Sequence, residues 1–299
     1  MVKYRKKILL AVDGSDQAFK AARYVSRLCL PDRMEVVLFH VMIKLPESFW
    51  DIEKEPAYIH MPAPISAWEL KQKKEAQEFM TSARQLFLDQ NFPEDAVSIK
   101  IQAKKTGIAR DIIYESYDDY DGVVVGRWGM SLLQDFLWGS IANKLMGRLT
   151  HVPLCVVGGT PQIGKILVAI DASEGAMRAV DYVGTMVNSA DWEITLFHAI
   201  RVLDREELHK AEKSMESVFE EATSHLKEAG VNRNRITTKM AAGVSSRAGA
   251  ILEKAMNGGY GTIVVGRRGF SHVEEFFMGR VSNKVVQMTR EIAVWVITQ

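Results

Sequence analysis

The chain has 299 residues, more than one compact core usually holds, so the first expectation is two domains. Hydrophobic residues make up 47% of the chain and charged residues 25%, which is the balance of a folded globular protein and excludes a disordered one. There are 38 Lys and Arg residues against 37 Asp and Glu, a formal net charge of +1. This near balance argues against a protein whose main task is binding nucleic acid or an anionic membrane.

The cysteines and the N-terminus indicate a compartment. Cys29 and Cys155 each lie in an apolar run and belong to no CxxC or metal-ligand cluster, so we expect buried thiols in a reducing cytosol. Basic residues open the chain, but the apolar run Ile8–Val12 stops at Asp13, too early for a signal peptide. No segment approaches the ~20 apolar residues of a membrane span. The sequence therefore predicts a soluble, cytoplasmic protein.

In the first half of the chain, apolar runs rich in Val, Ile and Leu alternate with amphipathic segments. The predicted strands are Ile8–Val12, Glu35–Val41, Val97–Ala103, Gly122–Val125 and Leu154–Val157. The predicted helices are Ser15–Leu28, Ala67–Gln90, Ala109–Tyr117 and Ser140–Leu149, with Ser15 as the N-cap of the first. This alternation predicts an α/β fold with a Rossmann-like, five-stranded, mainly parallel sheet and helices on both faces.

The second half of the chain repeats the first. Lys7–Ser15 and Leu38–His40 reappear 158 residues later, as Lys165–Ser173 and Leu196–His198. Val123–Arg127 and Asn143-Lys144 reappear 140 residues later, as Ile263–Arg267 and Asn283-Lys284. Four matches in one order predict a tandem duplication, with one domain over residues 1–158 and a second over residues 162–299. Ser173 is then the N-cap that corresponds to Ser15.

The shift of the offset from 158 to 140 means that the first copy carries 18 additional residues. We assign most of them to Ile43–Ile65, because its prolines, Pro46, Pro56, Pro62 and Pro64, prevent a continuous helix and predict a long loop. Its side chains Trp50, Tyr58 and Met61 are of types that either anchor a partner or cover the protein's own core.

The two copies are joined by a short Gly- and Pro-containing segment, Gly158–Gly164. With Lys165 it resembles a phosphate-binding P-loop. However, Ile166 follows where that motif needs Ser or Thr, and the next segment reads as a strand instead of a helix. We interpret the segment as a linker.

The residues that follow the predicted strands indicate an anion site. Gly126-Arg-Trp-Gly129 follows the fourth strand, and nine residues later Gly139-Ser140 opens a helix. Glycines let backbone N–H groups approach an oxyanion, a helix N-terminus favours phosphate, and Ser140 adds a hydroxyl. Asp13, after the first strand, enters the same crevice, where ribose hydroxyls or Mg²⁺ are the natural partners of its carboxylate.

This glycine spacing, together with Val12–Ser15, resembles the universal stress protein family, and it does so in both copies. The resemblance implies an ATP-binding, stress-response protein. On this resemblance, AMP and ADP are alternative ligands, and the nucleotide can bind with or without Mg²⁺. By position, the resemblance implies contacts to adenine, ribose and phosphates from Ala11, Val12, Asp13, Val41, Gly126, Arg127, Gly129, Gly139, Ser140 and Ile141. It also implies pairing of final strands across a dimer, which a tandem chain can make internally, with a further homodimer left open.

The second copy keeps the glycines but places Arg280 where the family has Ser or Thr. Its candidate ligand residues are Asp171, Gly266, Arg267, Gly269, Gly279, Arg280, Val281 and Ser282. Arg280 either blocks the site or, with Arg267 and Arg268, supplies positive charge to a phosphate. Ser282 is a candidate for replacing the lost hydroxyl.

Other polar residues indicate a binder more than an enzyme. His40 and His198 are expected to be packed and hydrogen-bonded, and the histidines show no metal-ligand spacing. The loops contain no evident general base or nucleophile, so we expect a regulatory ATP binder with at most slow hydrolysis. The alternative is a nucleotide-free interaction scaffold in which one or both sites have decayed. A flavoprotein or adenylating enzyme is less favoured, since the Ser-Gly-Gly-x-Asp-Ser pyrophosphate signature is missing.

Overall fold

The computed structural model describes residues 5–28, 30–43, 64–127, 139–187, 192–201, 204–268 and 278–298. The first copy contains β1 (Lys6–Ala11), α1 (Asp16–Leu28), β2 (Met34–Met42), α2 (Pro64–Leu88), β3 (Val97–Ala103), α3 (Ile108–Glu115), β4 (Gly122–Gly126), α4 (Ser140–Arg148) and β5 (Leu154–Val157). The second contains β6 (Lys165–Ala169), α5 (Glu174–Val187), β7 (Glu193–Ala199), α6 (Arg205–Glu228), β8 (Ile236–Ala241), α7 (Arg247–Asn257), β9 (Thr262–Gly266), α8 (Arg280–Met288) and β10 (Ala293–Ile297).

The strands form one ten-stranded sheet in the order β3-β2-β1-β4-β5-β10-β9-β6-β7-β8. Within each copy the strands pair in parallel, and β5 and β10 join the copies by an antiparallel pairing. The predicted α/β class and five-stranded parallel sheets are therefore confirmed. In each copy the order reverses beside the first strand, which makes the edge beyond β1 and β4 the topological switch point where ligands bind in such folds.

The sheet separates two apolar layers. Along β1, Ile8 and Leu10 face one layer, while Leu9 and Ala11 face the other, as the two-residue period of a strand requires. Helices α1, α2, α5 and α6 pack on the first face, and α3, α4, α7 and α8 pack on the second. Strands buried on both faces explain the near-continuous Val, Ile and Leu runs in the sequence.

The helix N-caps predicted after β1 and β6 are confirmed. The Ser15 hydroxyl oxygen accepts a hydrogen bond from the N–H of Ala18 at 3.1 Å, and Ser173 accepts one from Ala176 at 3.3 Å. Each serine hydroxyl in turn donates to the aspartate two residues earlier, Asp13 or Asp171. The two loops thus carry the same capping arrangement.

Helix α2 begins earlier than the sequence predicts. Its first residue is Pro64, so the last two residues of the expected loop Ile43–Ile65 are helical. Proline is tolerated there because the first N–H of a helix has no intrahelical partner. Residues 44–63, with Trp50, Tyr58 and Met61, lie outside the described residues, as does Cys29.

Cys155 is fully buried, at 0% exposure, as expected for a thiol in an apolar strand. Within the part of the chain that the structure describes, no helix is long and apolar enough to cross a membrane.

The contact between the copies is nearly two-fold symmetric. Cys155 and Trp295 stand opposite each other in the central antiparallel pairing. The hydroxyl of Tyr24 on α1 lies 2.9 Å from Thr262 Oγ1 at the start of β9. Tyr182 on α5, 158 residues after Tyr24, donates to the Asp121 carbonyl just before β4 at 3.2 Å. Each tyrosine therefore reaches the start of the fourth strand of the other copy.

Candidate functional site

The predicted adenine- and ribose-facing residues lie together at the carboxyl edge of the first sheet. Ala11, at the end of β1, stands between Phe39 of β2 and Val125 of β4. Val12 and Val41 are buried, at 5% and 6% exposure, in the first and the second apolar layer respectively. The structure therefore brings the end of β1, and with it the half-buried Asp13, beside the end of β4.

His40 and its counterpart His198 hold the first loop of each copy in place. The His40 Nδ1 nitrogen donates to the carbonyl of Val12 at 2.9 Å, and His198 Nδ1 donates to the carbonyl of Ile170 at 2.7 Å. The expectation of packed, hydrogen-bonded histidines is confirmed. Each histidine positions the residue immediately before the aspartate that occurs in both copies, Asp13 or Asp171.

Gly126 provides a close contact between the end of β4 and helix α1. A Cβ atom at this position would lie 3.1 Å from Gln17 Cγ and 3.4 Å from the Gln17 carbonyl carbon. Gln17 Nε2 also donates to the carbonyl of Val157 at 2.9 Å, which ties α1 to the end of β5. Gln17 could not be predicted from the repeat, because the second copy has Gly175 at the corresponding helix position.

The N-terminus of α4 faces the same edge. The N–H of Gly139 donates to the carbonyl of Arg127 at 3.2 Å, which fixes the start of the helix at the end of β4. Gly139 is the N-cap and provides no side-chain cap, whereas Asp204 and Ser246 cap the starts of α6 and α7 with their side chains. Ser140 is exposed at the first helical position. This uncapped, partly positive helix end suits an anion.

Ile141 follows at the second position of α4. Its side chain is half-buried and packs against the apolar layer below. Ile141 therefore anchors the helix start to the core next to Ser140.

The side chain of Arg127 does not lie among these residues, so its guanidinium is not positioned as a ribose or phosphate ligand, and a backbone contact from this residue stays a prediction. Its guanidinium is 5% exposed and donates to the carbonyls of Val286 and Gln287 in the last turn of α8, both at 2.6 Å. Its own N–H donates to the carbonyl of Val157 at 2.9 Å. Burial, together with the nearby charge of Arg290, lowers the pKa of Arg127 to about 10, so the group is charged at neutral pH.

Arg267 makes the reciprocal contact. It donates to the carbonyls of Leu149 and Met146 at the end of α4, at 2.8 and 2.6 Å, and is 4% exposed. Burial, and the charge of Arg268, lower the pKa of Arg267 to about 10. Because cations are favourable at helix C-termini, each arginine caps a helix of the other copy. The guanidinium of Arg267 therefore also makes an interdomain contact and is not positioned as a phosphate ligand.

Ser282, the candidate for replacing the hydroxyl that the second copy has lost, hydrogen-bonds within its own copy. Its Oγ donates to the carbonyl of Gly266 at 2.6 Å, and Ser282 is buried at 7% exposure, so its hydroxyl hydrogen is engaged within the second copy. Arg280 is exposed at the first position of α8, as Ser140 is in α4. Gly279 is again an N-cap without a side-chain cap, and Val281 is half-buried behind it.

The second site is also packed more tightly. A Cβ atom at Gly266 would lie 2.6 Å from both the carbonyl carbon and the oxygen of Gly175. Two glycines thus meet where the first copy has Gly126 against Gln17. Gly129 and Gly269, the remaining glycines of the motif, lie outside the described residues.

The chemistry of the donor set bears on Mg²⁺. Among the residues that the structure describes, no group of three His, Cys, Asp or Glu side chains is arranged to hold a metal ion. One oxygen of Asp13 already accepts the N–H and the hydroxyl of Ser15, at 3.1 and 2.6 Å. A divalent ion at this edge would therefore need phosphate oxygens from a bound nucleotide as ligands.

The profile of the universal stress protein family matches residues 5–158 and 162–297, which is both copies. The chain belongs to the universal stress protein family. The match establishes the family of both copies, and it does not identify the ligand of the sheet edge described above.

Individual relatives agree with this assignment. The universal stress protein YxiE of Bacillus subtilis is 30% identical over 137 residues, covering 42% of this chain and 93% of YxiE. A universal stress protein from Archaeoglobus fulgidus is 20% identical, with a TM-score of 0.64 and 98% of each chain covered. PA1789 of Pseudomonas aeruginosa, of unknown function, is 14% identical, with a TM-score of 0.59, covering 99% of this chain and 94% of its own. At these identities the two structures support the tandem fold alone.

Proposed function

We propose that the first copy binds ATP at the carboxyl ends of β1 and β4, as a regulatory binder with at most slow hydrolysis. The observation that carries this proposal is the uncapped N-terminus of α4, which is fixed at the topological switch point by the bond from Gly139 to Arg127. Backbone N–H groups and the Ser140 hydroxyl would hold phosphates there. Membership of the family supports the same edge as the ligand site.

The remaining residues fit a nucleoside in this position. Val41 lies in the same apolar layer as helix α4 and would contact a base, and Asp13 offers a carboxylate oxygen to ribose hydroxyls. Lys104 and Lys105, exposed immediately after β3, place positive charge at the same edge. With Arg127 and Arg267 engaged between the copies, the backbone N–H groups and the Ser140 hydroxyl at the start of α4 would be the donors to phosphate, while the two lysines lie three strands away from β4.

The residues of the described edge support slow turnover. His40, on the adjoining strand β2, donates its Nδ1 hydrogen to the Val12 carbonyl and supports the loop after β1. An enzyme that hydrolysed ATP rapidly would need a base or a water-positioning group aimed at the γ-phosphate. We therefore expect a rate of phosphate release far below ~1 s⁻¹, the lower end of typical enzyme turnover rates.

Titration calorimetry of the full chain with ATP and AMP tests the site. In the variant Ser140→Glu, a carboxylate is favourable for the helix start but repels phosphate, so ATP should bind about a hundredfold more weakly. Ser82→Glu, an exposed serine in α2, is the matched control and should bind as the parent does. Equal affinity of the Ser140→Glu variant would refute the site. No binding heat in the parent protein would favour the alternative of a nucleotide-free scaffold.

A further inference from the structure

The two buried arginines connect the two candidate sites in a closed ring. The carbonyl of Arg127 accepts the N–H of Gly139 at the start of α4, and the last turn of α4 accepts the guanidinium of Arg267. The carbonyl of Arg267 accepts the N–H of Gly279 at 2.8 Å, at the start of α8. The last turn of α8 then accepts the guanidinium of Arg127. Helices α4 and α8 are thus each held at the N-terminal end by their own copy and at the C-terminal end by the other copy.

The guanidinium links of this ring are short and desolvated. The four guanidinium bonds are 2.6 to 2.8 Å long, and both arginines are at most 5% exposed. Charge-assisted hydrogen bonds are stronger than hydrogen bonds between neutral groups, and each guanidinium donates to two carbonyls. Helices α4 and α8 are short, nine residues each, and their inner faces pack in the same apolar layer. A displacement of one helix along its axis would therefore pull directly on the opposite arginine.

We propose that this arginine ring couples the two strand-end sites, so that an anion bound at the N-terminus of α4 changes the backbone stability of α8, and the reverse. The physical reason is that an anion stabilises the N–H groups and the dipole of the helix that it binds. That helix meets the other copy through a buried charge on its C-terminal carbonyls. A packed interior transmits such a displacement because it has little free volume to absorb it. The inference rests on the proposed function, because ATP at the first site is the probe.

Hydrogen exchange of the full chain, read by mass spectrometry, tests the coupling. The Arg280→Glu variant serves as the parent protein in this experiment, and the other substitutions are added to it. The carboxylate at the start of α8 keeps ATP away from the second site. Saturating ATP should slow exchange in α4 directly, and in α8 by about fivefold, the lower end of measured couplings between sites. Adding Arg127→Met should keep the response of α4 and abolish that of α8. Adding Arg148→Met, an exposed arginine in the last turn of α4, should leave both responses intact.

The outcomes separate the two proposals. No response in α4 of the parent would show that the proposed nucleotide site is wrong. A response in α4 without one in α8 would overturn the coupling and leave the site standing. A response in α8 that survives Arg127→Met, or is lost in Arg148→Met, would show that the ring does not carry it. Should Arg127→Met fail to fold, Arg127→Lys keeps the charge without the fork. The α8 response should then fall at least by half, and an unchanged response contradicts the proposal.

Discussion

The two copies keep the same backbone frame but fill it with different side chains. In both, a glycine ends the fourth strand, a second glycine opens the next helix without a side-chain cap, and an arginine reaches into the partner copy. The side chains around this frame differ between the copies. Gln17 of the first copy corresponds to Gly175 of the second, Ser140 corresponds to Arg280, and Gly14 corresponds to Ala172. The comparison teaches that the features shared by both copies include the joint between them, whereas features of one copy alone shape its own site.

Replacing the strand-end glycines should break the packing of the second copy far more than that of the first. A Cβ atom in Gly266→Ala meets the backbone of Gly175 at 2.6 Å, which cannot rotate away. In Gly126→Ala it meets Gln17 Cγ at 3.1 Å, which needs a shift of a few tenths of an ångström. We expect Gly266→Ala to lower the free energy of unfolding by about 2 kcal/mol. Gly126→Ala should cost about 0.5 kcal/mol or less.

Urea denaturation followed by circular dichroism measures both values. The wild-type protein and Gly147→Ala, a glycine in α4 with open space around it, are the references. Equal losses in the two strand-end variants would mean that the closer approach of helix α5 to β9 has no energetic consequence.

The interactions that stabilise the starts of α3 and α7 should respond differently to pH. Asp111, fully buried on α3, accepts the N–H groups of Lys105 and Thr106 at 2.8 and 3.0 Å, whereas Ser246 caps α7 with a neutral hydroxyl. Burial alone would raise the pKa of Asp111, but these bonds outweigh it and hold the pKa below its usual 3.8. The folded protein thus gains stability above the unfolded pKa and loses it as the pH falls through the lower, folded pKa.

Asp111→Asn should therefore cost about 1–2 kcal/mol at pH 7, and the difference from wild type should shrink as the pH falls below about 4. Ser246→Ala is the control from the other copy, expected to cost about 1 kcal/mol at every pH. Thermal unfolding of both variants from pH 7 to pH 3 measures this. A loss in Asp111→Asn that stays constant with pH would contradict the role of the carboxylate charge.

The fold could be predicted from sequence because its signals are local. Apolar runs of strand length, the serine caps and the repeated glycines each depend on neighbouring residues, and Val97–Ala103 and Leu154–Val157 have the predicted ends. The contacts of Arg127 and Arg267 could not, because they join residues more than 100 positions apart. Repetition of the Gly-Arg pair fitted an anion site and an interdomain joint equally well. Only the orientation of the side chains separates these two interpretations.

The loop after the first strand offers the smallest and sharpest comparison. Gly14 has φ +86°, a conformation that costs other residues about 1–2 kcal/mol, while Ala172 is not among the described residues with positive φ. Gly14 and Gly147 both have open space where a Cβ would stand, so packing does not distinguish them. Gly14→Ala should thus lower the free energy of unfolding by about 1 kcal/mol. Gly147→Ala, inside helix α4, should raise it by about 0.5–1 kcal/mol. Opposite signs in urea denaturation would show that the first loop depends on a left-handed backbone, and two stabilising substitutions would show that it adapts as the second copy has done.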